Sequence, residues 1–157
     1  MKMSIQIALG LATAPDNSLG WVTLLRKGLP VSAGVSIQQH LALSDAQLQE
    51  LLGITAERHA QIQESGVFNP LESDTLYRTA RALRQGCSSL NSMELVQKWF
   101  TNPQPLLKKQ IPLTFLTSTL GGELVVVCLE RLKPTKVEAV QPEAPDYAED
   151  EVAPLTL

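Results

Sequence analysis

VQKWFTNPQPLLKKQIPLTFLTSTLGGELVVVCLERL, residues Val96 to Leu132, holds three short apolar elements parted by proline and glycine. The first ends on Trp99-Phe100 and meets the stop Thr101-Asn102-Pro103-Gln104-Pro105. The second opens at Ile111-Pro112, and Leu113, Leu116 and Leu120 follow at spacings of three and four, the period of one helix face. Pro112 suits a first helical position, where no N–H is needed, and Gly121-Gly122 is expected to stop that helix with a positive φ. The third element, Glu123 to Leu132, is a continuous aliphatic run that suits a buried strand as well as a helix. An acid at its start and Arg131 and Lys133 at its end match a helix dipole, so a helix is expected.

The order W-F-x-N-P-x-P-L, then I-P-L-x-x-L-x-x-x-x-G, then V-x-x-x-L resembles the C-terminal toxin-binding domain of Xre/MbcA/ParS-type antitoxins. Those proteins are the small partners of RES-domain toxins, which degrade NAD. The matching positions are Trp99, Asn102, Pro103, Leu106, Pro112, Leu113, Leu116, Gly121, Val125 and Leu129. With the segment upstream, the resemblance covers Gly28 to Leu132. The same residues also make an ordinary small α-helical core, and spacing does not say which of them face a partner.

Outward from this stretch, the charge is unevenly placed. Residues 137–157 carry six acidic side chains and no basic one, whereas the chain up to Lys136 has thirteen basic and ten acidic residues. The body is mildly basic, which permits nucleic-acid binding without demonstrating it. The acidic stretch also contains Pro142, Pro145 and Pro154 and buries too little apolar surface to offset its ordering entropy, so a disordered tail is expected. It reads either as a solubilising tail or as a segment that folds onto a basic surface. Aromatic residues make up only 4% of the chain, so the core must be aliphatic. Cys87 and Cys128 belong to no Cys-x-x-Cys or Cys/His cluster and read as buried free thiols. No apolar run approaches the roughly 20 residues of a membrane span. Met1 to Ala14 has the outline of a signal peptide, but its apolar run is short, contains Gln6 and follows a single charge.

The N-terminal 25 residues are weakly patterned. Gly28-Leu29-Pro30 leads into a segment whose apolar face is expected at Val35, Ile37, Leu41 and Leu43. Ser44 is a good N-cap for Asp45 to Leu52, with Leu48, Leu51 and Leu52 as its buried stripe. Gly53 is a sharp stop, and Thr55 caps a second helix, Ala56 to Ser65. Helix, glycine turn, helix is a helix-turn-helix arrangement, whose second helix can enter the major groove. A longer helix, Leu71 to Gln85, should point Leu76, Tyr77, Ala80 and Leu83 inward and Arg78, Arg81 and Arg84 outward. Cys87 to Asn91 reads as a polar connector, and Ser92 as the next cap.

The resemblance extends over L-x-x-L-L-G-I-T and E-S-x-x-L-Y-R. Where the family commonly has arginine, this chain has Glu57; where a basic pair is common, it has Gln61-Ile62. Ser44 to Gly86 holds four basic and six acidic residues, a poor balance for neutralising phosphate. Arg58, His59, Gln61 and Gln63, following Thr55, nonetheless have the chemistry to read base edges. His40 and His59 stand far from other metal ligands, and no phosphate-binding glycine loop or nucleophile elbow occurs.

The resemblance therefore implies an all-α protein in four parts. These are an N-terminal extension (1–28), an Xre-like helix-turn-helix domain (29–90), a small three-helix toxin-binding domain (91–133) and the disordered acidic tail (134–157). It implies a cytoplasmic antitoxin, a homodimer, that blocks a RES-type toxin sterically through Trp99, Asn102, Pro103, Leu106, Pro112, Leu113, Leu116, Leu120, Val125 and Leu129. Operator DNA would be met through Thr55, Arg58, His59, Gln61 and Gln63. No catalytic residue, metal, cofactor or membrane contact is expected. A helix-turn-helix regulator without a toxin, and a structural adaptor with a vestigial DNA-binding unit, stay open as alternatives.

Overall fold

A single long helix, Pro70–Leu90, is the spine against which the other elements pack. It begins with a reciprocal cap: the Asn69 side chain accepts from the Glu72 N–H, and the Glu72 carboxylate accepts from the Asn69 N–H. Pro70 occupies the first helical position, where its missing donor costs nothing. The helix outruns the expected Leu71 to Gln85, and the connector expected at Cys87 to Asn91 is its last turn. Gly86 does not break it, because the absent side chain lets Phe100 and Val96 approach closely. Ser89 is buried and donates to the Leu129 carbonyl, and Asn91 ends the helix in the left-handed conformation.

The computed structural model describes residues 2–132, and the expected acidic tail, 134–157, lies outside them. In chain order the helices are α1 (Ile5–Ala8), α2 (Ser18–Lys27), α3 (Val31–Leu41), α4 (Asp45–Leu52), α5 (Ala56–Ser65), α6 (Pro70–Leu90), α7 (Met93–Thr101) and α8 (Thr119–Arg131). Two 3₁₀ turns, Pro105–Leu107 and Pro112–Thr117, lie between α7 and α8. The chain is all-α, with no strand among the described residues, and bridges occur only singly, at Pro30–Val67 and Gln104–Gln110. No helix among them is long and apolar enough to cross a membrane.

The segment before residue 29 is part of the body. Ile5, Ala8 and Leu9 are buried, and the Ser36 hydroxyl donates to the Ala8 carbonyl. Helix α2 lies on α6 with Trp21 against Tyr77, ring centroids 5.0 Å apart. Gly28 then turns the chain at φ 108°, and a Cβ there would sit 2.3 Å from the Phe68 carbonyl oxygen. Leu29, beside it, is fixed by a 2.8 Å hydrogen bond from its N–H to Ser73 Oγ.

Helices α3 to α6 form the helix-turn-helix unit. Ser44 and Gln47 make a capping box at the head of α4. Gly53 closes α4 at φ 68°, and Thr55 Oγ1 accepts from the Arg58 N–H to start α5. The α3 face differs from expectation at one point: Val35 is exposed, and Ala33, Gly34, Ile37 and Leu41 are the buried set. Gly34 lets the Phe68 ring lie almost on the helix backbone.

The buried residues form one cluster that runs from Ile5 to Leu129, so the helix-turn-helix unit and the C-terminal elements share an interior. Burial raises the Cys87 thiol above its ordinary range and pushes Cys128 up to about 11. Both stay protonated and free in this core.

Candidate partner surface and helix-turn-helix face

The C-terminal elements are built around an aromatic corner. Helix α7, capped by Ser92, buries Val96, Trp99 and Phe100, with the two rings edge to face at 5.2 Å. The chain leaves at Asn102 and makes a tight loop closed by Gln104 and Gln110, with Leu107 as its buried plug. The Gln104 side-chain amide donates to the Trp99 carbonyl and ties the loop to the helix end. At the tip, Lys108 and Lys109 both hold positive φ, 54° and 66°, and both are exposed.

The next stretch departs from the expected helix ending at Gly121-Gly122. Pro112–Thr117 is a 3₁₀ turn, and Ser118 caps α8, which takes both glycines into its first turns. Neither has positive φ, so they do not punctuate. A Cβ on Gly121 would lie 2.0 Å from the Phe115 carbonyl oxygen, and one on Gly122 would lie 2.6 Å from Arg78 Cδ. Their role is close approach, which lets the turn fold onto α8 and α6 onto α8. Arg78 exploits that gap, so it is half-buried rather than outward-facing. Its Nη1 donates to the Leu116 carbonyl at 2.7 Å, and its Nη2 pairs with Asp74. Helix α8 itself runs through the aliphatic stretch for which strand and helix were both open.

The sequence-expected toxin contacts divide accordingly. Trp99, Pro112, Leu113, Leu116, Val125 and Leu129 are buried and hold the corner together. Asn102, Pro103 and Leu120 face out, and Leu106 is half-buried. Leu120, 63% exposed, is joined in the exposed apolar set by Leu95, Ile111 and Leu132. Leu95 escapes a reading by periodicity, because it stands out of phase with the Val96, Trp99 and Phe100 stripe. That mismatch is itself the signal of an apolar residue with no interior place.

On α5 the residues expected to meet DNA are largely engaged within the protein. Thr55 is spent as the helix cap. Arg58 makes a two-point ion pair with Glu72, Nε to Oε2 at 2.9 Å and Nη2 to Oε1 at 3.0 Å. Burial alone would raise the Glu72 carboxyl, but Arg58 and the Asn69 N–H outweigh it and hold it below its ordinary range. The same hydrogen bond raises Arg58. His59 is buried between the Gln49 and Gln63 amides, at 3.0 and 3.4 Å. Gln61 and Gln63 are exposed, together with Glu57 and Glu64. The open face of α5 therefore shows two carboxylates, and its one cation, Arg58, is partly exposed but paired with Glu72.

Residues 20–81 match the model of the antitoxin Xre-like helix-turn-helix domain. The match begins inside α2 and ends inside α6. It supports an Xre-type antitoxin, with an antitoxin or DNA-binding role for this unit. No curated protein matches the chain at a significant level.

Proposed function

We propose that the chain is an antitoxin that neutralises a RES-type toxin by covering its NAD pocket, a stoichiometric block that needs no chemistry from this protein. The observation that carries the reading is the Xre-like antitoxin match over residues 20–81, on a unit that shares its core with a C-terminal corner of family-like spacing. In this reading the contacts fall to the outward residues Leu120, Asn102 and Pro103 and to the half-buried Leu106. Trp99, Pro112, Leu113, Leu116, Val125 and Leu129 act by shaping that surface.

In this reading the protein works in the cytoplasm as a homodimer, and its helix-turn-helix unit contributes operator binding. The face of α5 limits that second role. Non-specific affinity for DNA comes from lysine and arginine at phosphates, and here the one arginine of the helix is tied to Glu72. Gln61 and Gln63 remain to read bases. A structural adaptor with a vestigial DNA-binding unit is the reading that this face favours if no operator is bound.

The test is co-expression with a RES-domain toxin, scored by growth rescue and co-purification. Wild type should rescue growth and co-purify, and Leu120→Asp should do neither while keeping its circular-dichroism spectrum. A toxin that remains lethal beside the folded wild-type protein overturns the assignment.

A further inference from the structure

We infer that the loop of residues 102–111 meets an acidic rim on the protein partner, with Lys108 and Lys109 as its charged contacts. This assignment rests on the antitoxin reading for the partner's identity and on the loop for its chemistry. From Leu95 to Gly122 the chain carries three lysines, Lys98, Lys108 and Lys109, and no acidic residue. All three are exposed and make no ion pair among the described residues, although Glu94 stands one turn before Lys98. The Asn102 side-chain amide donates to the Lys98 carbonyl, which hangs the loop on the last turn of α7.

The loop holds its two lysines firmly and under strain. The Leu107 and Lys109 N–H groups both donate to the Gln104 carbonyl, at 3.0 and 2.8 Å, and the Gln104 N–H donates to the Gln110 carbonyl at 3.1 Å. Leu107 is fully buried beneath them. The tip is left with φ 54° at Lys108 and 66° at Lys109, a region where a Cβ crowds the backbone and glycine fits without strain. Two consecutive lysines there give up local stability, and charge is what they offer that glycine would not. Backbone strain of this kind gathers at binding sites.

The neighbours of the tip point to a protein as its occupant. Asn102, Pro103 and Ile111 are exposed beside it. An apolar side chain next to unpaired cations matches the edge of a protein interface, where a charged rim borders an apolar centre; Ile111 has no counterpart on a phosphate backbone. Charge complementarity then calls for aspartate and glutamate on the facing surface. A pocket that receives the pyrophosphate of NAD needs cations of its own, so those carboxylates belong outside it, at its edge.

The test measures association of the full chain with a purified RES-domain toxin, for wild type and for Lys108→Gly/Lys109→Gly. Glycine removes the charge and the strain together, so Tm should match or exceed that of wild type while the association rate constant falls about tenfold at low salt. The deficit should shrink to less than about twofold at about 1 M salt, where the screening length is about 3 Å. An association rate that the double substitution leaves unchanged overturns this inference and leaves the antitoxin reading standing; a folded wild type that does not bind the toxin removes both. A deficit that persists at high salt, or a Tm below that of wild type, makes the lysines structural and overturns it too. So does a loss of duplex-DNA binding in place of toxin binding, which assigns the loop to nucleic acid.

Discussion

Replacing Gly121 by alanine tests whether close approach, and not chain reversal, is what the glycine provides. The new Cβ would lie 2.0 Å from the Phe115 carbonyl oxygen and 2.9 Å from its carbon. Ordinary carbon–oxygen contact begins near 3.3 Å, so the 3₁₀ turn must withdraw by about 1.3 Å. Added volume in a packed site costs about 1–3 kcal/mol, and a backbone obstacle that cannot rotate away puts this case at the upper end. Alanine returns at most about 1 kcal/mol in helix propensity. The net loss is about 2 kcal/mol, which for a chain this size lowers Tm by roughly 6–8 °C. Thermal unfolding followed by circular dichroism reads it directly. Gly53→Ala, at φ 68° with open space around it, should lose only about 1 kcal/mol, the left-handed penalty alone. A Gly121→Ala protein that melts at or above the wild-type temperature refutes the reasoning.

In the outward set, Leu120→Asp should leave stability within about 0.5 kcal/mol yet abolish toxin co-purification. Leu116→Ala, in a fully buried site, should cost about 2–5 kcal/mol, and equal effects of the two on denaturant midpoint would undo the division between surface and interior. Glu72 is held below its ordinary value of 4.5, so its stabilisation is complete above that value and is lost as pH falls through the lower folded value. The Tm gap between wild type and Glu72→Gln should therefore close on acidification; a gap constant through that window would contradict the Arg58 pairing. Glu57→Lys with Glu64→Lys should raise DNA affinity at low salt and steepen the log–log salt slope by roughly 0.9 per new phosphate contact. An unchanged slope means that this face never meets DNA.

What the residues disclosed on their own was mostly local. Ser44, Thr55 and Ser92 announced their helices, and Gly53 its stop, because a cap is chemistry between a side chain and a backbone group three residues away. Gly121 and Gly122 looked like punctuation, and the helix was expected to end just before Gly86, because what these glycines accommodate comes from elsewhere in the chain. Phe115, Arg78 and Phe100 become visible as neighbours only once the helices are packed. The end of α6 was missed for the same reason, since Ser89 looks polar in sequence yet donates to the Leu129 carbonyl of α8. Arg58 reads as a free cation until Glu72, fourteen residues on, is seen to serve both it and the Asn69 cap. The family-like spacing marked the right corner of the molecule. It did not separate the leucines that fill the corner from Leu120, which leaves it.

The long helix Pro70–Leu90 belongs to both halves, and this decides how the molecule can be dissected. A fragment ending near Asn91 would strip Gly86 of Val96 and Phe100, and Ser89 of its bond to Leu129. A fragment beginning there would have no floor beneath α8. Neither piece inherits a closed interior, so each should clump when expressed alone. Genetic scissors therefore offer no way to assign separate duties to the two ends; single side-chain changes on the intact protein do.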